Sequence, residues 1–234
     1  MKNKLLYLVI FALAAISLAS CEGVTTEGMT RITYYPELTL EGNTTLYLDK
    51  GTTFIDPGYI AILNGEDVTP QVQVTSNVDM SKSGVYSINY VIVNADGFAS
   101  NARRMVIVTD PNDPVEGIYF MDPNSYRVYN GAKVTYNGLY RVLVLNNGNG
   151  TYNVDDLLGG WYSQRANYGT SYAMQGRISV ADDGSVTMLS SYVPGWGDSA
   201  NFMADGMFDA ATKCLSWMIE YTSNKMEFYV TMYK

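Results

Sequence analysis

The chain has 234 residues, no histidine and a formal net charge of −8. Without imidazole, the usual general base near neutral pH and the commonest metal ligand are both missing, which excludes Ser-His and Cys-His nucleophilic mechanisms. The acidic balance argues against nucleic acid, whose binding needs Lys and Arg to neutralise phosphates, and with 20 Tyr, 21 Gly and few helix-forming runs the composition favours strands and turns.

At the N-terminus, Lys2 and Lys4 precede an apolar run from Leu5 to Leu18 that ends in Leu18-Ala19-Ser20-Cys21. A positive n-region, an apolar h-region and small residues before the cut are the secretory pattern. A Cys directly after Leu-Ala-Ser resembles the bacterial lipobox, which implies that the Cys21 thiol is acylated and that the mature chain starts there. The alternative, an uncleaved transmembrane anchor, needs roughly 20 apolar residues, and this run stops short of that at Ser20-Cys21-Glu22-Gly23. Residues 1–20 therefore read as a lipoprotein signal peptide and 21–30 as a flexible tether. With Cys21 lipidated, Cys214 is the one remaining thiol, so no intrachain disulfide is expected. Its place in Cys214-Leu215-Ser216-Trp217-Met218-Ile219 predicts a buried core residue.

From residue 31 to 110, runs at Leu38-Leu40, Leu46-Leu48, Val72-Val74, Val85-Val93 and Arg103-Val108 alternate apolar with polar residues between Gly, Asn, Asp and Pro. Short strands at such spacing predict a β-sandwich. Asp56-Pro57-Gly58 predicts a tight turn and Asp96-Gly97 a hairpin. These residues, with Phe54-Ile55, Tyr59, Gly65-Glu66-Asp67-Val68-Thr69 and Gly84-Val85-Tyr86-Ser87-Ile88-Asn89-Tyr90, resemble the Ig-like domain of bacterial surface proteins. The resemblance implies a spacer or interaction module.

Asp110-Pro111-Asn112-Asp113-Pro114 then reads as a seam, with 111–114 as the linker. Asp110, Asn112 and Asp113 are oxygen donors that could hold calcium. An exposed acidic linker explains them as well, and no metal or other cofactor is assigned.

Residues 115–234 predict consecutive hairpins: Tyr136–Leu145 returning through Thr151–Val154, Gly176–Val180 with Ser185–Leu189, and Leu215–Ile219 with Met226–Met232 across Thr222-Ser223-Asn224-Lys225. The chain as a whole thus reads as all-β, an N-terminal Ig-like β-sandwich followed by an antiparallel β-meander that closes as a sandwich or a barrel. The run Gly150-Thr151-Tyr152-Asn153-Val154-Asp155-Asp156-Leu157-Leu158-Gly159-Gly160-Trp161-Tyr162 is similar to the C-terminal domain that accompanies the Ig-like domain in lipoproteins of gut Bacteroidota. That resemblance implies an outer-membrane address, at the cell surface or on the periplasmic face, and an association with polysaccharide-utilisation machinery.

The candidate glycan contacts are Trp161, Tyr162, Arg165 and Tyr168, with Tyr192, Trp196 and Asp198. Flat aromatic rings stack on the C–H faces of sugars, while Asp, Asn, Gln and Arg supply directional hydrogen bonds. Against this, Trp161, Tyr162 and Trp217 are also what the core of a small β domain requires. The pairs Asp155-Asp156 and Asp182-Asp183 are expected to be a strand end and a hairpin turn, not the acid and base of a glycosidase. Asp198-Ser199-Ala200 resembles the O-glycosylation signal of exported Bacteroidota proteins, and a glycan on Ser199 would crowd Trp196.

The expectation is a non-enzymatic surface lipoprotein that binds glycan. The alternative is a protein-docking accessory of an outer-membrane transporter or a neighbouring surface lipoprotein.

Overall fold

The computed structural model describes residues 32–222 and 225–234. The signal peptide, Cys21 and the tether lie outside these residues, as do Ser223 and Asn224 of the last predicted turn. Among the described residues no helix is long and apolar enough to cross a membrane.

The first unit is a two-layer sandwich. One sheet joins β1 (Glu37–Leu40), β3 (Tyr59–Leu63) and β4 (Glu66–Asp67), and the other has the order β2-β7-β6-β5, from β2 (Thr45–Asp49), β7 (Ala99–Thr109), β6 (Gly84–Val93) and β5 (Gln73–Ser76). The period-two pattern of β6 sends Ile88, Tyr90 and Ile92 inward, where they meet Val106, Val108, Ala61 and Val68. The β6–β7 hairpin closes at Gly97 with φ +86°, a left-handed conformation that glycine adopts without strain.

Asp56-Pro57-Gly58 is more than a turn. Asp56 Oδ1 accepts from Gly58 N at 3.0 Å and lies 3.3 Å from Nε of Arg104, a side chain with no solvent exposure. The Arg104 guanidinium also donates to the carbonyls of Glu41 (2.8 Å), Gly58 (2.9 Å) and Asn43. Tyr90 Oη donates to the other Asp56 oxygen. A buried guanidinium with this set of acceptors ties two loops, β1–β2 and β2–β3, to β7.

The second unit is one antiparallel sheet of β8 (Gly117–Met121), β9 (Tyr126–Tyr129), β10 (Ala132–Thr135), β11 (Arg141–Gly148), β12 (Thr151–Val154), β13 (Gln175–Val180), β14 (Val186–Tyr192), β15 (Ala200–Asp209), β16 (Cys214–Tyr221) and β17 (Met226–Tyr233). It curls until β14 and β15 meet through the bridge Ser185–Met207 and the hydrogen bond from Phe208 N to Gly184 O at 2.7 Å. The β9–β10 hairpin pairs with the first half of β17 and raises one wall at the end remote from the chain's entry. On β16 the inward face is Leu215, Trp217, Ile219 and Tyr221. Cys214 shares the outward face with Ser216 and Met218 and is half-buried, which corrects the expectation of a core thiol. The predicted strand over Tyr136–Leu145 starts only at Arg141, because Asn137 turns the chain with φ +54°.

The two units pack directly. Tyr47, Ile107 and Val85 form a cross-strand row on the outer face of the sandwich. Ile107 points away from its own core and is still only 6% exposed; Leu143, on the outer face of β11, is 8% exposed. The Arg141 guanidinium sits 5.0 Å from the Tyr47 ring centroid, and Val85 shares a cleft with Leu143 and Leu145. At the seam, Glu116 is buried and accepts from Asp110 N (3.0 Å) and Asn146 N (3.3 Å). Asp113 Oδ1 accepts from Val115 N (2.9 Å) and Glu116 N (2.8 Å), while Asp110 pairs with Lys50. The Asp110 and Asp113 carboxylates considered for calcium are thus engaged by the protein's own donors.

Candidate functional site

The segment after β12 fills the remote end of the curled sheet. Leu157 and Leu158 have no solvent exposure, and their carbonyls accept from Trp217 Nε1 (2.8 Å) and Tyr136 Oη (2.6 Å). Gly159 and Gly160 follow with φ of +60° and +80°. A Cβ on Gly159 would lie 2.4 Å from Met121 Sδ, so both conformation and space demand glycine there. The turn delivers a single π-helical turn, Trp161–Arg165, whose Gln164 and Arg165 amides both bond to Gly160 O, at 3.0 and 2.8 Å.

Asp156 anchors this segment from inside. It is 2% exposed and accepts from Leu158 N (3.0 Å), Met174 N (3.2 Å) and Ser163 Oγ (2.5 Å). Burial pushes its carboxyl up to about 6, against the pull of these donors. Its oxygens are committed to the segment's own N–H and O–H groups, an anchoring arrangement unlike the strand end expected from sequence.

Trp161 lies inside, 3% exposed, edge-on to Tyr136 (4.8 Å) and Phe228 (5.7 Å). Arg165 is half-buried, with its guanidinium 4.2 Å from the Trp161 ring centroid and Nε donating to Tyr136 O at 3.2 Å. Trp217 is likewise core.

Above them is an aromatic face. The Trp196 ring is perpendicular to Tyr162 at 4.7 Å and meets Tyr172 at 4.9 Å and Tyr168 at 6.3 Å. Tyr168 also contacts Tyr162 (6.2 Å) and Tyr172 (5.5 Å). Trp196 is 43% and Tyr168 56% exposed, so large parts of both rings face water while their edges are fixed by neighbours. Trp196 is held in a tight turn in which Val193 O accepts from Trp196 N (3.2 Å) and Gly197 N (2.8 Å). Gly195 N reaches Ser171 O at 2.6 Å, and a Cβ on Gly195 would come within 2.6 Å of the Tyr172 ring. The two loops are therefore pressed together through a glycine. Asp198 borders this face and accepts from Tyr221 Oη at 2.6 Å, while Ser199 next to it is exposed.

Of the seven predicted contacts, Tyr162, Tyr168, Trp196 and Asp198 converge. Trp161 and Arg165 lie beneath them, and Tyr192 is on β14 beside Gln175 and Arg177, with its hydroxyl about 4.0 Å from where a Cβ on Gly197 would stand, at the edge of the Trp196 turn. Sequence reasoning missed Tyr172 and Tyr221. Tyr221 carries a readable signal, because it continues the inward alternation of Leu215, Trp217 and Ile219. A cleft of about 800 Å³ lies at the opposite end of the curled sheet between Val115, Tyr152, Val180, Asp183 and Met207. It lacks the exposed aromatic platform, which is the more specific chemical feature.

A family model described as a bacterial surface protein, Ig-like domain, matches residues 38–108, and a model of a C-terminal domain family matches residues 109–234. Among solved structures, the lipoprotein BT2262 from Bacteroides thetaiotaomicron is 38% identical with a TM-score of 0.73, over 86% of this chain and all (100%) of that one. Two structures of Clostridium perfringens ZmpB, one of the M60 catalytic domain with CBM51-1 and CBM51-2 and one that includes CBM51-2 in complex with GlcNAc, are each 18% identical. They cover 53% and 51% of this chain and 14% and 31% of their own, with TM-scores of 0.29 and 0.27, a likeness too slight to carry an argument. No curated protein matches the chain.

Proposed function

The chain belongs to the family of the lipoprotein BT2262 from Bacteroides thetaiotaomicron, with a bacterial surface Ig-like domain ahead of its C-terminal family domain, and from that premise we propose that it is a lipid-anchored surface protein that binds glycan without transforming it. In this reading residues 1–20 are removed, Cys21 carries the lipid at the outer membrane, and residues 31–110 carry residues 115–234 outward. Trp196 and Tyr168 stack on sugar rings, Asp198 accepts from sugar hydroxyls, and Tyr162 and Tyr172 hold the platform in place.

The observation that supports the reading best is that two loops separate in sequence converge on one exposed aromatic face, with their approach enforced at Gly195. Exposed rings fixed at their edges lose little freedom when a ligand arrives. The test is affinity electrophoresis of the protein against a polysaccharide panel, followed by calorimetry on each hit. Saturable binding that disappears in Trp196→Ala, with the fold intact, is the expected result. Uniformly negative panels, together with co-purification of an outer-membrane protein, would replace this reading with the docking role.

A further inference from the structure

Two arginines at the remote end of the curled sheet have no acidic partner. Arg127, on β9 opposite Phe228, places its guanidinium 4.7 Å from the Trp161 ring centroid, and Arg165 places its own at 4.2 Å from the same ring. Among the described residues neither forms a salt bridge, whereas the buried Arg104 has both an acid and carbonyl acceptors. Arg127 Nε is the one buried side-chain polar atom among them without a hydrogen bond. Cation–π contact with Trp161 offsets part of the cost of holding two like charges against one ring. Arg165 Nε reaches Tyr136 O and the Arg127 guanidinium hydrogen-bonds with Tyr162, but neither finds a carboxylate among the described residues.

This pair adjoins the aromatic face through Tyr162. The Tyr162 ring touches Trp196, and its hydroxyl, raised by burial, is drawn partly back by the Arg127 guanidinium beside it. The nearby acids form no ion pair with the arginines: Asp156 is engaged by Ser163 and backbone amides, and one oxygen of Asp198 by Tyr221. Both arginines are partly exposed. In a chain of net charge −8, two guanidinium groups without a carboxylate partner beside an exposed aromatic face have the chemistry of an anion receptor.

We infer that Arg127 and Arg165 form the acid-recognising subsite of the aromatic face, and that the preferred ligand is an acidic saccharide whose carboxylate or sulfate oxygens accept from the two guanidinium groups. The inference rests on the glycan-binding reading above. It narrows that reading from sugars in general to charged ones.

The test is a set of matched pairs titrated against the intact protein. Polygalacturonate against its methyl ester isolates the carboxylate, and dextran sulfate against dextran isolates the sulfate. At least one acidic member should bind about ten-fold or more tightly than its neutral counterpart, as one charge-assisted hydrogen bond requires. The preference should shrink with added salt and vanish in Arg165→Gln while near-ultraviolet circular dichroism stays native. The wild-type comparison decides the matter even if that variant misfolds. Equal binding of acidic and neutral members, or a preference that survives in a folded Arg165→Gln, overturns the acid subsite. If neutral polymers then bind in a Trp196-dependent way, the broader glycan reading stands alone. Binding of no polymer of either kind overturns both.

Discussion

Arg104 and Asp56 form an ion pair at 3.3 Å in the sandwich, with the arginine side chain wholly buried. Removing the acid leaves a buried cation with carbonyl acceptors but no counter-charge. Asp56→Ala should cost about 3 kcal/mol or more, measured as a shift in the urea midpoint. Arg104→Met, which removes the charge itself, should be milder on that count, though it frees three carbonyls.

The two tryptophans of the candidate site should separate cleanly. Trp161→Ala opens a cavity between Tyr136 and Phe228 and should cost about 3–5 kcal/mol of stability. Trp196→Ala should cost about 1 kcal/mol, the scale of lost aromatic edge contacts, while removing glycan affinity. Thermal melts paired with binding titrations distinguish the two.

Asp156 sets a pH dependence whose sign runs against the common carboxylate case. Its folded value, about 6, lies above the ordinary 3.8, so between those limits the folded chain holds more protons than the unfolded one. The protonated group favours folding below about pH 4, and that contribution is lost as pH rises through 6, a difference of about 3 kcal/mol. Asp156→Asn keeps a carbonyl for the Leu158 and Met174 amides and should flatten this component. Wild-type and variant denaturation curves between pH 4 and 7.5 provide the comparison, and their difference cancels the opposite drift from acids such as Asp183 and Asp209, whose hydrogen bonds lower their values.

Leu143→Asp tests the contact between the units without touching the core of the curled sheet, because Leu143 faces outward from β11. A wild type that melts as one calorimetric transition should split into two in this variant. Two transitions already present in the wild type would mean that the Tyr47–Ile107–Val85 row contributes little.

How much of this was legible in sequence varied with the kind of pattern. Strands such as β6 and β16 announce themselves by alternation over eight or more residues, and the Gly97 hairpin by a residue type suited to left-handed backbone, whereas the turn at Asn137 was read as strand. Strands β3, β8 and β9 were not legible: Tyr59–Leu63 and Gly117–Met121 are short and nearly continuously apolar, and Tyr126–Tyr129 is half-buried throughout. On β16 the inward set Leu215, Trp217 and Ile219 was readable, while Cys214 was misplaced because its apolar side chain sits on the outer face with Met218. At the site, the aromatic content of two loops was visible in the chain. Trp196, flanked by Pro194, Gly195 and Gly197 and without strand periodicity, was readable as an exposed ring, whereas the burial of Trp161 was not, since it depends on what folds over it.

The row of Tyr47, Ile107 and Val85 laid against β11 also decides how such a receptor would search for its ligand. With that contact closed, the bearing of Trp196 relative to Glu37 is constant, and no hinge at residues 111–114 redirects it. A molecule held by its N-terminal end then sweeps as one lever, so its reach is set by the chain ahead of Glu37 and its aim by the sandwich. Lengthening that leading segment would widen the volume sampled and leave the angle of presentation unchanged, whereas loosening β11 would do the reverse.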